Sequence, residues 1–186
     1  MVYLYVIASY FLGSVLTAAI VAKLKGVNLQ NENSGNLGAR NAGRTLGKSA
    51  FVIVAISDGL KGLFVVLIGR MLELPELAIA LAVIAVVLGH LYPFWNKGKG
   101  GKGVATIIGA MVIFSPVHFI GFILGFLISI PITKSATLSM LNGFILYGIL
   151  VSSYFEAGWV MSVALLLVIW MQRKNILERM KPDVLE

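Results

Sequence analysis

From Gly103 to Thr133 the chain runs for 31 residues without a formal charge. One membrane-spanning helix needs about 20 residues, so this run is long for one span and short for two. Other uncharged stretches cover residues 1–22, 77–96, 135–155 and 157–172, and residues 49–69 are interrupted only by Asp58 and Lys61. Inside hydrocarbon, backbone polar groups must be satisfied within the protein, which helices do segment by segment. The composition agrees: 59% of the 186 residues are hydrophobic and 12% are charged, where a soluble domain carries about a quarter charged. An ordinary cytosolic enzyme, a disordered protein and a typical nucleic-acid binder are excluded. The expected fold is all-α, a polytopic integral membrane protein forming a single domain over residues 1–186.

The long run divides at Ser115-Pro116, because proline disfavours helix at the residue before it. Charge placement supports the division. With spans at about 104–114 and 116–133, the basic residues Lys23, Lys25, Arg40, Arg44, Lys48, Lys97, Lys99, Lys102, Lys134, Arg173, Lys174, Arg179 and Lys181 share one side, leaving only Arg70 opposite and Lys61 within the membrane. With one long span the split falls to 8 against 6. Seven spans follow, with the N-terminus out and the C-terminus cytoplasmic. The start, Met1-Val-Tyr-Leu-Tyr-Val-Ile, has no basic region and reads as a first span. Asp58 and Lys61, three apart, fall on one helix face as a self-compensating pair. Gly121-Phe-Ile-Leu-Gly125 is a close-packing signal first and an oligomerisation signal only in the minority case. His118, beside Pro116, reads as interfacial.

The absence of cysteine excludes disulfides, zinc fingers and thiol nucleophiles. The acidic residues Glu32, Glu73, Glu76 and Glu156 are scattered, so neither a metal site nor a cofactor is expected. The net charge of +7 is instead concentrated in two loops. The first contains Ser34-Gly-Asn-Leu-Gly-Ala-Arg-Asn-Ala-Gly-Arg-Thr45. Its glycines allow successive amides to face one concavity suited to phosphate. Arg40 and Arg44 would share a helix face, and a guanidinium matches phosphate oxygens two at a time. The segment from Gly38 to Thr45 approaches a nucleotide-binding P-loop, but it follows a membrane span where a P-loop follows a buried strand. The other basic loop, Lys97-Gly-Lys-Gly-Gly-Lys-Gly103, opens a helix at Val104-Ala-Thr106, and helix N-termini attract anions. Its four glycines exceed what a tight turn needs. His90, just before Tyr92-Pro-Phe-Trp95, is open to a structural or a catalytic role; the pattern of His, four residues and Asp fails because position 95 is Trp.

These residues together resemble the bacterial acyl-phosphate:glycerol-3-phosphate acyltransferase family, PlsY. Gly13-Ser14, followed by Ser34 to Asn41 and Arg44 to Lys48, resembles the first signature of that family. Gly89-His-Leu-Tyr-Pro93 with Lys99 to Thr106 resembles another, and Arg173, Asn175, Ile176 and Arg179 resemble a third. Asp58, Lys61 and Gly62 also match. The resemblance implies seven spans, a cytoplasmic-side site in a bacterial (inner) membrane, and acyl transfer from acyl phosphate to the 1-hydroxyl of glycerol 3-phosphate. It implies catalytic roles for Arg44, Lys102 and His90. It implies substrate or phosphate binding by Ser34, Gly35, Asn36, Gly38, Asn41, Lys99, Gly100, Gly101, Gly103, Thr106 and Asn175. Its partners would be both substrates, membrane lipid and the soluble enzyme supplying acyl phosphate, with no nucleic acid. The chain departs from the family pattern at Asn33 (usually Gly), Arg40 (usually Thr), Gln172 (usually His) and Lys174 (usually acidic). A small transporter of phosphorylated solutes and a non-catalytic relative binding acyl phosphate stay open as alternatives.

Overall fold

A computed structural model describes residues 1–180; Lys181, counted above with the basic tail, lies outside them. The described residues are helical, in the order α1 (Val2–Ser14), α2 (Thr17–Leu24), α3 (Ala39–Leu46), α4 (Lys48–Met71), α5 (Glu76–Leu91), α6 (Val104–Phe114), α7 (Pro116–Thr133), α8 (Ala136–Tyr154) and α9 (Gly158–Arg179), with short 3-10 turns at Leu29–Asn31 and Phe94–Asn96. Six helical segments are long and apolar enough to cross a membrane, and α6, apolar but shorter, would be the seventh. The division at Ser115 is as the proline predicts: Ser115 is extended, with φ −152° and ψ 91°, and Pro116 opens α7. The first span departs from expectation, because Val15 and Leu16 are extended and divide it into α1 and α2.

The chain forms two compact units, one ending at Ile113 and the other beginning at Phe114. In the first, α5 is the most enclosed helix, with Ala80, Ala82, Val83, Val86 and Val87 fully buried. Along α4, Val54, Asp58, Lys61, Val65 and Gly69 are buried. Ile53, Ile56, Leu60, Phe64 and Ile68 form an exposed apolar stripe on the same helix. Water would penalise that stripe; lipid does not.

Lipid is as apolar as leucine, so helices in it associate through close packing of small residues. A Cβ on Gly13 would overlap the Val86 carbonyl, and one on Gly89 would overlap the Tyr10 carbonyl, so α1 and α5 meet backbone to backbone. The same holds between α4 and α6, where Gly62 abuts Thr106 and Gly109 abuts Gly59. In the unit that follows, Gly121 and Gly125 are used within the chain. Gly125 packs on Gly143 of α8, and Gly121 on Leu150.

Two glycines three apart on α4 therefore predict opposite outcomes. Gly62→Ala forces α4 from the α6 backbone and should cost ~1–3 kcal/mol. A Cβ at Gly59 meets nothing nearer than the Ala105 oxygen at 3.6 Å. Gly59→Ala should then be neutral, or stabilising by up to about 1 kcal/mol through helix propensity. Thermal unfolding of the two variants in detergent checks the contrast.

Candidate active site

The first glycine loop is a folded segment. Leu29, Leu37 and Ala42 are buried against Leu16, Ala18 and Ala22 around α2 and against Ala50 and Val54 of α4. Asn41 clamps it: its side-chain amide donates to the carbonyls of Leu29 (3.0 Å) and Glu32 (3.1 Å). The Asn41 side chain is buried and spends that amide on the loop itself. Asn33 sits at φ 47° and donates to the Thr45 hydroxyl at 3.0 Å. Asparagine tolerates this left-handed conformation better than most residues, which suits it to a position where glycine is usual.

Within this segment α3 carries Arg40 and Arg44 on its exposed side, as their spacing predicts. Gly47, at φ 95° and ψ 174°, turns the chain directly into α4, a conformation that only glycine adopts without strain. Arg40, Arg44 and Lys48 consequently line one open cleft of about 450 Å³ with Gly43, Phe51 and Val52. Cations and apolar side chains thus border the same space. Ser34 is exposed, and Gly35 and Asn36 are half-buried at the segment's tip.

The Lys97–Gly103 loop folds back on the end of α5. The Gly100 amide donates to the Leu91 carbonyl at 3.1 Å and the Gly101 amide to the His90 carbonyl at 3.0 Å. These two amides are committed to the turn. The glycines there answer a need for space: a Cβ on Gly100 would lie within overlap of the His90 and Leu91 carbonyls, and one on Gly101 within overlap of the His90 ring. Of the loop's lysines, Lys97 and Lys99 are exposed and Lys102 is half-buried. Gly103, at φ 75°, leads into α6, whose Thr106 is fully buried with its hydroxyl unpaired. The Leu37 amide reaches the Gly100 carbonyl at 3.4 Å. The two loops therefore meet at one end of the first unit.

Beneath them lies a buried polar cluster. The Lys61 ammonium donates to the Asp58 carboxylate at 2.6 Å and to the Val15 carbonyl. That carbonyl belongs to the break between α1 and α2, and the neighbouring Ser14 carbonyl accepts from the Trp95 indole at 2.7 Å. His90 is buried, with Nδ1 3.8 Å from the same Asp58 oxygen. Sequence reasoning pairs Asp58 with Lys61 but misses the broken span. The Lys61 and Trp95 donors that serve the break are its only signal, and both lie far along the chain.

The unit from Phe114 onward holds the remaining expected site residue. Asn175 donates to the buried Gln172 side chain at 2.6 Å, so Gln172 serves as a hydrogen-bond partner there. Arg173 lies over the Trp170 ring at 4.5 Å. His118 is hydrogen-bonded to Ser115 at 2.7 Å.

A helical membrane protein with a cation-rich, glycine-lined end is the class that fold and site define. The glycerol-3-phosphate acyltransferase family model matches residues 3–181. Among curated relatives, a glycerol-3-phosphate acyltransferase 1 of Bacillus cereus is 44% identical over 138 residues, 74% of this chain and 76% of the relative. A glycerol-3-phosphate acyltransferase of Geotalea daltonii is 35% identical over 174 residues, 92% of this chain and 90% of the relative. The fold is similar to the crystal structure of PlsY (YgiH), an integral membrane glycerol 3-phosphate acyltransferase, in its glycerol 3-phosphate form. That comparison has TM-score 0.84 and 32% identity, over 94% of this chain and 90% of the other. A lysophosphatidic acid form of that enzyme matches with TM-score 0.82 at the same identity, over 94% and 89%. The chain belongs to the glycerol-3-phosphate acyltransferase family, and it is a membrane acyltransferase.

The buried pair is the site's foundation, and its removal can be graded. Lys61→Met strands a buried carboxylate and leaves the Val15 carbonyl unpaired, a loss of ~3–5 kcal/mol. Removing both charges with Asp58→Asn/Lys61→Met should recover part of that loss. Unfolding midpoints of the single and double variants measure it.

Proposed function

We propose that the chain transfers a fatty acyl group from acyl phosphate to the 1-hydroxyl of glycerol 3-phosphate. The products are 1-acylglycerol 3-phosphate (lysophosphatidic acid) and inorganic phosphate, in phospholipid biosynthesis. The observation that carries the reading is the meeting of two basic loops through Leu37 and Gly100. Both substrates bear phosphate, and one end of this unit offers cations from both loops. The lipid-compatible face of α4 continues beside the cleft through Phe51 and Val52, both exposed, which suits a donor with a long acyl chain. The relatives' names support the acceptor; the resemblance of the sequence motifs to the acyl-phosphate-using family supports the donor.

The proposed reaction forms a bond between the acceptor hydroxyl oxygen and the acyl carbonyl carbon. The carbonyl electrons move to oxygen, and on their return the bond from carbon to the phosphate oxygen breaks. The donor is already activated, so holding the hydroxyl against the carbonyl carbon supplies much of the rate. Ser34, with the Gly35, Asn36 and Gly38 segment, binds phosphate. Arg44 and Lys102 offset the negative charge growing on the oxyanion and on the departing phosphate. Lys99 and the start of α6, from Gly103, add to the same field. Asn41 acts at one remove, by holding the first loop folded. The departing phosphate takes the hydroxyl proton, since the buried imidazole of His90 faces Asp58 on one edge and Gly101 on the other. The cytoplasmic face of the inner membrane suits this reaction, because a soluble enzyme must deliver the acyl phosphate.

Phosphate release by the purified protein tests the reading, with palmitoyl phosphate and glycerol 3-phosphate supplied separately and together. Release should require both. Lys102→Ala and Arg44→Ala should each lower it by about 100-fold or more, the scale of losing one transition-state charge contact. Binding of acyl phosphate without release would favour a non-catalytic relative. Uptake of glycerol 3-phosphate into vesicles without release would favour transport.

A further inference from the structure

We infer that His90 is a positioning residue: its ring is the seat on which the Lys97–Gly103 loop is held, and Asp58 with Lys61 fixes that seat to the break in the first span. The inference rests on the acyl-transfer reading for what the loop does, though not for the seat itself. Four observations carry it. The Gly101 amide is bonded to the His90 carbonyl at 3.0 Å, so backbone already ties the loop to this residue. The three atoms nearest a Cβ built on Gly101 are all in the His90 ring, Nε2, Cε1 and Cδ2. The ring's other edge has Nδ1 3.8 Å from Asp58. The histidine is 2% exposed.

An imidazole so enclosed contacts its supports and reaches no acceptor hydroxyl. One edge lies where a side chain on residue 101 would stand, and Nδ1 on the other faces Asp58 without a hydrogen bond. The Asp58 carboxylate that borders it is in turn held by the Lys61 ammonium at 2.6 Å. That ammonium is anchored at the Val15 carbonyl, which the break in the first span leaves without a helical donor. Neighbours thus run from the broken span through α4 and α5 to Gly101, with the step from Asp58 to His90 made by a charged group 3.8 Å from the ring and not by a hydrogen bond. Lys102 is the adjacent residue. A displacement of about 1 Å at a group that orients a substrate can cost 100-fold in rate. The glycine at 101 is required because the ring occupies the space where a side chain would stand.

The experiment uses the full chain in detergent, comparing wild type with His90→Phe, His90→Ala, Gly101→Ala and His90→Ala/Gly101→Ala. Phosphate release is measured against glycerol 3-phosphate concentration across pH, with thermal midpoints in parallel. Phenylalanine keeps a planar ring but accepts no proton. His90→Phe should keep kcat within about tenfold and leave the pH profile in place, where loss of a general base costs ~100- to 10,000-fold. Gly101→Ala should raise KM for glycerol 3-phosphate by about tenfold or more and lower the midpoint, since its methyl group collides with the ring. In the double variant the ring is gone, so both KM and midpoint should improve on Gly101→Ala alone. Two results overturn the inference. One is a folded His90→Phe protein with kcat down by about 100-fold or more and an altered pH profile. The other is simple addition of the His90→Ala and Gly101→Ala effects, which decides the matter even where His90→Phe does not fold. Wild-type protein without turnover defeats the acyl-transfer reading, and the midpoints of the wild type, the two alanine variants and their double then test the seat by themselves.

Discussion

The Lys61 ammonium is held between the Asp58 carboxylate and the Val15 carbonyl. Ionised groups inside a membrane protein are costly unless paired, and a backbone carbonyl freed by a broken helix is costly unless it finds a donor. One side chain answers both demands. The break allows α2 to leave the line of α1 and carry Ala18 and Ala22 under the first loop. Asp58, neutralised by the same ammonium, can then face His90 on α5. The Lys97–Gly103 loop rests on His90. Trp95 closes the arrangement from the other side through the Ser14 carbonyl.

Close packing supplies the other half of the design. Gly62 and Gly109 let α4 and α6 approach to backbone contact. The short helix α6 thereby gains neighbours that its length alone would not secure, and its first turn is set beside the lysines of the preceding loop. Gly13 and Gly89 perform the same service between α1 and α5. The glycines of the two loops do different work. Gly47 turns the chain from α3 into α4, whereas Gly100 and Gly101 leave room for the end of α5. Composition lumps these together as glycine-rich; sterics separates them.

Much of the fold is legible along the chain. Uncharged runs of span length locate the membrane helices, and Pro116 marks the division at Ser115. The spacing of Asp58 and Lys61 foretells their pairing. The spacing of Arg40 and Arg44 foretells a shared exposed face on α3. Two features are hidden. Val15 and Leu16 carry no breaker of their own, because the break is stabilised by Lys61 and Trp95 far along the chain. The commitment of the Gly100 and Gly101 amides is hidden too: a glycine amide aimed at a ligand and one bonded to the preceding helix end have the same sequence signature. Asn41 is a similar case, since a loop asparagine suits a ligand and a buried clamp equally well.

The sequence alone determined which segments are apolar and long enough to cross a membrane and where the cations gather, because transfer of apolar and charged groups between water and hydrocarbon depends on residue type and run length. Tertiary structure alone decided which carbonyl the buried lysine serves, which glycines are spacers, and that His90 lies beneath the Lys97–Gly103 loop. Those outcomes depend on contacts between residues distant in the chain, and hydrogen bonding and steric exclusion act over only a few ångströms.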